Sequence, residues 1–595
     1  MTGSDSTPAG ASFLWEPTGS RNIMAPERFT EDQREIARAA RKFAATEILP
    51  RIAQIESKKS GLVPELLRKA GELGLLMVDI PPEYGGLGLE KTTSMMIAEE
   101  FSVLGSFAVS LGAHTGIGTM PILYFGTPEQ KSKYLPDLAT GQRFAAYALT
   151  EPSSGSDALA AKTKADLSSD GSYYLLNGTK QFITNAGFAD VFTVFAQVAG
   201  NKFSAFIVDR TSPGLSVGPE EHKLGIRGSS TCALSFEDVR VPSENLLGEV
   251  GRGHRIAFNI LNVGRIKLGL GTIGAAKCAL SVSARYANER HQFNKPIGAF
   301  GLVASKLAEM AIGIFVGESM GYRTTGLIDE CHLPGSPESA QVDAIEEFAV
   351  EASIIKVFGS EVLDYCADEC VQIHGGYGFI EEYEPERLLR DSRINRIFEG
   401  TNEINRLIVP ATILKRAMKG QSPLIERAAF IRSALAKGDA PRATDDEFGV
   451  VNQVVDFCKW IATYVLAVAA ETYHVHIADE QEILGELSDI ISQVYALDSA
   501  LARVRHIAAG KNAMNAAVAR DLLAAFAPPA YSFCVHTARH VLMDVCDPES
   551  LPKHLDAIGQ MRIDWPSKVI AAKRRIARAV LEADGYPIQR EAAGR

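Results

Sequence analysis

Cysteine is scarce, at eight in 595 residues, and no two form a CxxC pair. Cys366 and Cys370 lie one helical turn apart, but no second pair completes a metal site. That spacing excludes the common zinc and iron–sulfur modules and leaves buried free thiols in a reducing compartment. His474 and His476 diverge if helical, so no metal is expected there. A secretory start is also lacking: residues 1–20 have no basic opening and no apolar run, and unlike a transit peptide they carry acidic residues. The longest apolar run, Trp460–Ala470, lies between Lys459 and Glu471 and is too short to span a bilayer. These features predict a cytoplasmic protein with at most peripheral membrane contact. Positive charge is in deficit, with a net charge of −11, which argues against a nucleic-acid partner. Walker A, HExxH and GxSxG motifs are absent.

What is present is core-forming material. Hydrophobic residues make up 46% of the chain and charged residues 22%, as in a soluble globular protein. The length suggests about three to five compact units. Residues 1–25, rich in Gly, Ser, Thr and Pro, read as a tail. Residues 26–144 are helical in period, opened by Thr30-Glu-Asp-Gln33 as a capping box. Residues 145–252 alternate like strands, with Asn177-Gly178 predicted as a hairpin turn. Residues 253–416 return to long helices, 417–447 read as a linker, and 448–595 form an additional helical domain. The fold class is mainly α with an inserted β domain.

Several short motifs carry candidate chemistry. Gly269-Leu-Gly271-Thr-Ile-Gly274 matches GxGxxG, but residues 255–288 have a helical period, so the glycines read as helix-packing positions. Tyr147–Asp157 leads a strand into a loop of hydroxyl residues that offers donors to a polar ring or phosphate, with Asp157 placed to cap the next segment. Taken alone it reads rather as a surface turn. In Arg396-Ile-Phe-Glu399-Gly400-Thr401, one carboxylate sits beside a bulky apolar residue, an arrangement that raises its pKa if the loop is buried. The competing reading is a solvated glutamate before a helix capped by Thr401. Gln372–Phe379 ends a helix in glycines, and Glu289–Phe293 is a polar helix end.

Together and in this order, the segments resemble the acyl-CoA dehydrogenase family over about residues 30–415. Leu149–Asp157 is similar to that family's flavin-side signature, Lys180–Asn185 to its second flavin segment, and Asn262-Val-Gly-Arg265 to its coenzyme A segment. Arg290–Phe293, Gln372–Phe379 and Phe398–Thr401 come after these at the family's spacing. The resemblance implies an N-terminal helical domain, a β-barrel-like middle domain and a C-terminal four-helix bundle, here with an extra helical domain. The length beyond 415 and Leu111–Gly118 resemble the very-long-chain branch.

The resemblance also implies FAD as cofactor and conversion of a long-chain acyl-CoA to a trans-2-enoyl-CoA, the first step of fatty acid β-oxidation. Glu399 would take the α-proton and the flavin N5 the β-hydride. Thr150, Ser156, Phe182 and Thr184 would line the isoalloxazine. Arg290, Gln292, Phe293, Gln372, Gly376, Thr401 and Glu403 would serve the rest of FAD, several across a homodimer. Ser156 and Arg265 would meet coenzyme A, and Asn262 and Gly400 would be further substrate-binding residues. Gly112, Gly116 and Gly118 would leave the acyl pocket deep. An electron-transfer flavoprotein is the implied acceptor; an O₂-using acyl-CoA oxidase and a non-catalytic relative of the fold are the rivals. Two positions depart from the pattern: Asn262 stands where many members have Asp, and Gly264 where one subgroup has its catalytic Glu. A basic stretch, Ser567–Leu581, reads as a packed terminal helix or a membrane-surface element.

Overall fold

The computed structural model describes residues 8–19, 21–331, 338–563 and 568–588. The first helical unit opens at the predicted capping box. Thr30 Oγ1 accepts from the Gln33 amide at 3.2 Å, and Gln33 Oε1 accepts from the Thr30 amide at 3.0 Å. Two amides that a helix start would leave orphaned are thereby satisfied. Glu31–Phe43 is followed by Leu62–Glu72, Lys91–Phe101, Gly105–Gly112 and Pro128–Thr140. Their apolar faces meet in a core that includes Leu66, Leu67, Phe101 and Phe107.

The middle unit is an eight-stranded sheet: β1 Ala145–Ala148, β2 Lys164–Leu167, β3 Tyr173–Thr184, β4 Val191–Val198, β5 Lys202–Asp209, β6 Leu215–Glu220, β7 Thr231–Pro242 and β8 Leu246–Leu247. The order is β6-β7-β3-β2-β4-β5-β8, with β1 parallel to β4. β4 is buried on both faces: Val191 and Phe195 join a core shared with the helices, while Phe192, Val194 and Ala196 fill the interior of the β unit.

The expected hairpin at Asn177-Gly178 is not formed. β3 runs straight through these residues as one strand, with a register shift against β7 between Leu176 and Gly178. Asn177 instead bonds across the sheet, accepting from the Asp238 amide at 2.9 Å. Glycine is required at 178 by close approach, since a Cβ there would lie 2.5 Å from Thr163 Oγ1. A bulge and a hairpin turn call for the same residue types, which is why the local sequence misled.

The third unit holds Gly253–Glu289, Gly301–Cys331, Glu338–Glu347, Ala349–His374, Glu384–Ser392 and Asn402–Met418. The GxGxxG lies inside the first of these helices. A Cβ on Gly269 would meet Ile355 Cγ2 at 2.3 Å, and one on Gly274 would meet the Glu99 carbonyl at 2.2 Å. These glycines let helices touch.

The added unit contains Gly449–Tyr473, Gln481–Ala509, Ala513–Val545, Leu551–Gln560 and Val569–Glu582. Its core is continuous with the preceding bundle, joining Val465, Leu497 and Leu523 to Ile273 and Phe315. Buried ion pairs cross the seam: Arg503 to Glu27 at 2.8 Å and to Glu318 at 2.7 Å, and Arg323 to Asp498 at 2.8 Å. The stretch Gly449–Asp479 is long and apolar enough to cross a membrane, but 78% of its most apolar window is buried inside the protein. Of the basic stretch, Ser567 lies outside the described residues, and the following helix packs with Lys573 on Glu309 and Arg575 on Asp521.

Two segments differ from expectation. The tail is folded in from residue 8 onward: Phe13 and Leu14 are buried, the Ala11 amide donates to Glu351 Oε1 at 2.6 Å, and Phe13 packs on Tyr495. The apolar Phe13-Leu-Trp15 triplet outweighs its Gly/Ser/Pro surroundings. The linker contains a helix, Leu424–Lys437, which buries Ile431 and Leu435 in the shared core.

Candidate active site

Glu399 sits in the turn between Arg393–Arg396 and the helix that starts at Asn402. Thr401 caps that helix as predicted, accepting from the Ile404 amide at 3.2 Å. Glu399 has φ 58° and Gly400 φ 80°. A left-handed glutamate is strained by about 1 kcal/mol and persists only where its surroundings hold it. Here three buried side chains do so through the loop's carbonyls. Arg265 Nε donates to the Glu399 carbonyl at 3.2 Å. Lys356 Nζ donates to the Gly400 carbonyl at 2.7 Å. Asn405 Nδ2 donates to the Gly400 carbonyl at 2.8 Å and the Thr401 carbonyl at 2.9 Å.

The Glu399 carboxylate turns inward, and Oε2 is buried with no hydrogen-bond partner among the described residues. Burial pushes its pKa up to about 7, against the opposing pull of Arg265 and Lys356. Burial likewise depresses Arg265 to about 10 and Lys356 to about 7.

The carboxylate stands where two cavities meet. The larger is a cleft of about 1620 Å³. It brings together Thr150, Ser156, Phe182 and Thr184 from the β unit, Asn262 and Arg265 from the Gly253–Glu289 helix, and Glu399, Gly400 and Thr401. Phe182, at φ 59° on a bulge of β3, is 61% exposed and so offers a free ring to the cleft. The second cavity runs behind Glu399, lined by Leu104, Ala108, Gly112, Gly264, Gly271 and Leu388 among others.

Other predicted residues lie elsewhere. Arg290, Gln292 and Gly376 line a separate cavity of about 460 Å³, with Phe293 fully displayed beside them at 87% exposure. Gln372 and Glu403 are exposed and line neither cavity. Arg265, expected at coenzyme A, spends its guanidinium on the Glu399 carbonyl and on Asn262 Oδ1, the latter at 2.8 Å. Gly116 does not open the pocket. The side chain of Lys267 fills the space beside it, with Cδ 3.5 Å and Nζ 3.7 Å from where a Cβ would stand. Gly118 faces the Ala113 carbonyl and Ala145 instead. Only Gly112 of the three lines the second cavity.

The sequence reading missed Lys356, Asn405, Lys267 and the pair Glu151–Lys180. Glu151 accepts from the amides of Lys162 and Thr163 and from Lys180 Nζ at 2.7 Å, and so ties the hydroxyl-rich loop to the segment that Asp157 was expected to cap. Asp157 makes no side-chain cap. A single lysine inside an apolar helical run, as in Ser353-Ile-Ile-Lys356-Val-Phe, was the available signal for Lys356.

An exposed aromatic ring, hydroxyls of Thr150, Ser156 and Thr184, and a loop where Gly155 leaves open space suit a flat ring with polar edges. Fold and site together define a flavin-dependent oxidoreductase, and the residues present fit FAD. The chain matches the acyl-CoA dehydrogenase N-terminal domain over residues 30–142, the middle domain over 146–239, and two C-terminal domain descriptions over 251–414 and 458–558. It is 48% identical to a probable acyl-CoA dehydrogenase of Bacillus subtilis, covering 97% of this chain and 98% of that one. It is 44% identical to the human mitochondrial very long-chain specific acyl-CoA dehydrogenase over 57% of this chain, a span of 51% of that protein. Among solved structures, the FAD complex of an acyl-CoA dehydrogenase from Bacillus anthracis superposes with a TM-score of 0.95 at 47% identity, covering 98% of this chain and 100% of that one. Butyryl-CoA dehydrogenase from Megasphaera elsdenii covers 65% of this chain and 99% of its own, with a TM-score of 0.60 and 35% identity. The chain belongs to the acyl-CoA dehydrogenase family. It is an FAD-dependent enzyme that dehydrogenates acyl-CoA thioesters.

Proposed function

We propose that Glu399 is the base that removes the α-proton of a long, linear acyl-CoA, giving the trans-2-enoyl thioester. The observation that carries this is the buried, unpartnered Oε2 of Glu399 at the junction of the two cavities. A carboxylate with its pKa near 7 is matched to proton transfer at neutral pH. Bound FAD supplies the acceptor for the β-hydrogen, which leaves as hydride.

The loop carbonyls are tied down by Arg265, Lys356 and Asn405. Among the described residues none accepts a hydrogen bond from the Glu399 amide. That amide is available to the thioester oxygen, where charge develops as the proton leaves; such a donor contributes about 3–4 kcal/mol. Thr150, Ser156, Phe182 and Thr184 orient the ring system, and Ser156 and Asn262 meet the coenzyme A portion.

The second cavity supports a long chain. It tracks the Gly253–Glu289 helix from Gly264 to Ala275, about 16 Å at 1.5 Å per residue. At about 1.3 Å of advance per carbon, that accommodates roughly a dozen methylenes. Arg290, Gln292, Phe293, Gln372, Gly376 and Glu403, which do not line the Glu399 cleft, serve the remainder of FAD in a homodimer. An electron-transfer flavoprotein reoxidises the flavin. Anaerobic titration with acyl-CoAs of rising length tests this reading: flavin bleaching should be strongest at about C12 and beyond, and a preference for butyryl-CoA would refute it. Slow reoxidation in air, with rapid turnover on an electron-transfer flavoprotein, is the expected acceptor result.

A further inference from the structure

The Glu399 loop is connected to the added C-terminal domain by an unbroken chain of side chains. Lys356 Nζ, besides holding the Gly400 carbonyl, donates to Asn402 Oδ1 at 2.7 Å. Asn402 Nδ2 donates to Glu361 Oε1 at 3.1 Å. Glu361 accepts from both terminal nitrogens of Arg406, at 2.8 and 3.1 Å. The remaining nitrogen, Arg406 Nε, donates to Asp489 Oδ1 at 2.7 Å. Asp489 lies on Gln481–Ala509, in the added domain.

We propose that Asp489 is a positioning residue for Glu399, acting through Arg406, Glu361, Asn402 and Lys356. The inference rests on the reading of Glu399 as the base. Two carboxylates grip one guanidinium from different sides, which fixes its plane as a single ion pair would not. The fixed guanidinium holds Glu361, and Glu361 shares the Asn402 amide with Ser360 Oγ, each accepting from Nδ2 at 3.1 Å. Asn402 Oδ1 is one of the two acceptors that aim Lys356 at the loop. Without Asp489 the guanidinium can rotate and the strained Glu399-Gly400 turn is held less firmly. The added domain thereby completes the site without reaching it.

The groups facing Lys356 are Glu399, Arg265, Glu403 and Glu361. Those facing Glu399 are Arg265, Lys356 and the Tyr147 hydroxyl. Moving the Lys356 ammonium away from Glu399 removes a positive charge that favours its ionised form. The acid limb of the rate–pH profile must then shift to higher pH, which a purely structural role would not cause.

The test uses full-length holoenzyme, with flavin reduction by dodecanoyl-CoA, varied up to saturation, monitored anaerobically from pH 5.5 to 9. Asp489→Ala should slow reduction about 3- to 30-fold, leave the KM for acyl-CoA unchanged, and raise the apparent pKa of the acid limb. Lys356→Met should do the same more strongly, and Lys356→Arg should recover part of the loss. In the Lys356→Met background Asp489→Ala should add nothing, because the chain is already cut. Should Asp489→Ala fail to fold, Arg406→Lys reads the same link, since an ammonium cannot bridge both carboxylates in that plane. An unchanged rate and pH profile with only a lowered Tm would overturn the proposal, as would full additivity of the two substitutions. Normal reduction in Glu399→Gln would instead strike at the base itself, so the two failures are distinct.

Discussion

A Cβ placed on Gly264 would lie 2.6 Å from Oε2 of Glu399 and 2.9 Å from Oε1. The glycine is therefore the floor on which the carboxylate rests. Alanine is the better helix former by about 1 kcal/mol, yet here it would push the carboxylate aside. Gly264→Ala is expected to keep FAD and lose about 10²-fold in flavin reduction, the scale of a misplaced reacting group. Absorbance of the purified variant and stopped-flow reduction check both parts. Wild-type reduction would show that the carboxylate does not rest there during turnover.

The burial that raises Glu399 to about 7, from an ordinary 4.5, has a stability cost with a definite pH window. Below about 4.5 the carboxyl is neutral in folded and unfolded chains alike, and no cost arises. Between 4.5 and 7 the unfolded chain ionises while the folded one holds its proton, so the cost grows with pH and is complete above 7. Glu399→Gln is thus expected to stabilise the protein by about 1–3 kcal/mol at pH 8 and by much less at pH 5. Denaturant unfolding at the two pH values measures the difference. An equal gain at both would contradict the raised pKa.

Gly112 has only the Lys267 stem near it, with Cδ 3.9 Å from an added Cβ. A longer side chain must therefore enter the second cavity, where the acyl chain is proposed to lie. Gly112→Gln should cut kcat/KM for dodecanoyl-CoA by at least about 10-fold through overpacking, while butyryl-CoA is little affected. Lys267→Met keeps the stem and should leave the chain-length profile unchanged. A parallel fall for short and long substrates in Gly112→Gln would place the acyl chain elsewhere.

Arg503 is fully buried and pairs with Glu27 and Glu318 across the seam of the added domain. Removing it leaves Glu27 without this cation and Glu318 with Lys277 and the Tyr586 hydroxyl but without its buried guanidinium. Arg503→Ala is expected to cost about 3–5 kcal/mol, read as a lower urea midpoint, while the FAD of the folded fraction is retained. A loss under about 1 kcal/mol would mean water reaches these carboxylates.

Periodicity and capping chemistry made the helical–β–helical order, the Thr30 and Thr401 caps and the helical nature of the GxGxxG readable before the structure. Glu399 was readable because a carboxylate beside Phe398 and a glycine is a local pattern. The chain that holds it was not. Lys356 and Glu361 reach the loop from another helix, and Asp489 from another domain. Gly112 and Gly116 look alike in sequence, but Lys267 fills the space beside only one of them closely. Asn177-Gly178 failed because a bulge and a turn use the same residues. The tail failed because three apolar residues are too short a run for any period to register.

The central claim is that one buried carboxylate performs the proton abstraction. It is tested most directly by anaerobic mixing of FAD-loaded Glu399→Gln with dodecanoyl-CoA, observing the flavin band. Binding should still perturb the spectrum, because the cleft is intact, and the band should not bleach over many wild-type turnover times. Bleaching at the wild-type rate would contradict the assignment of Glu399 as the base.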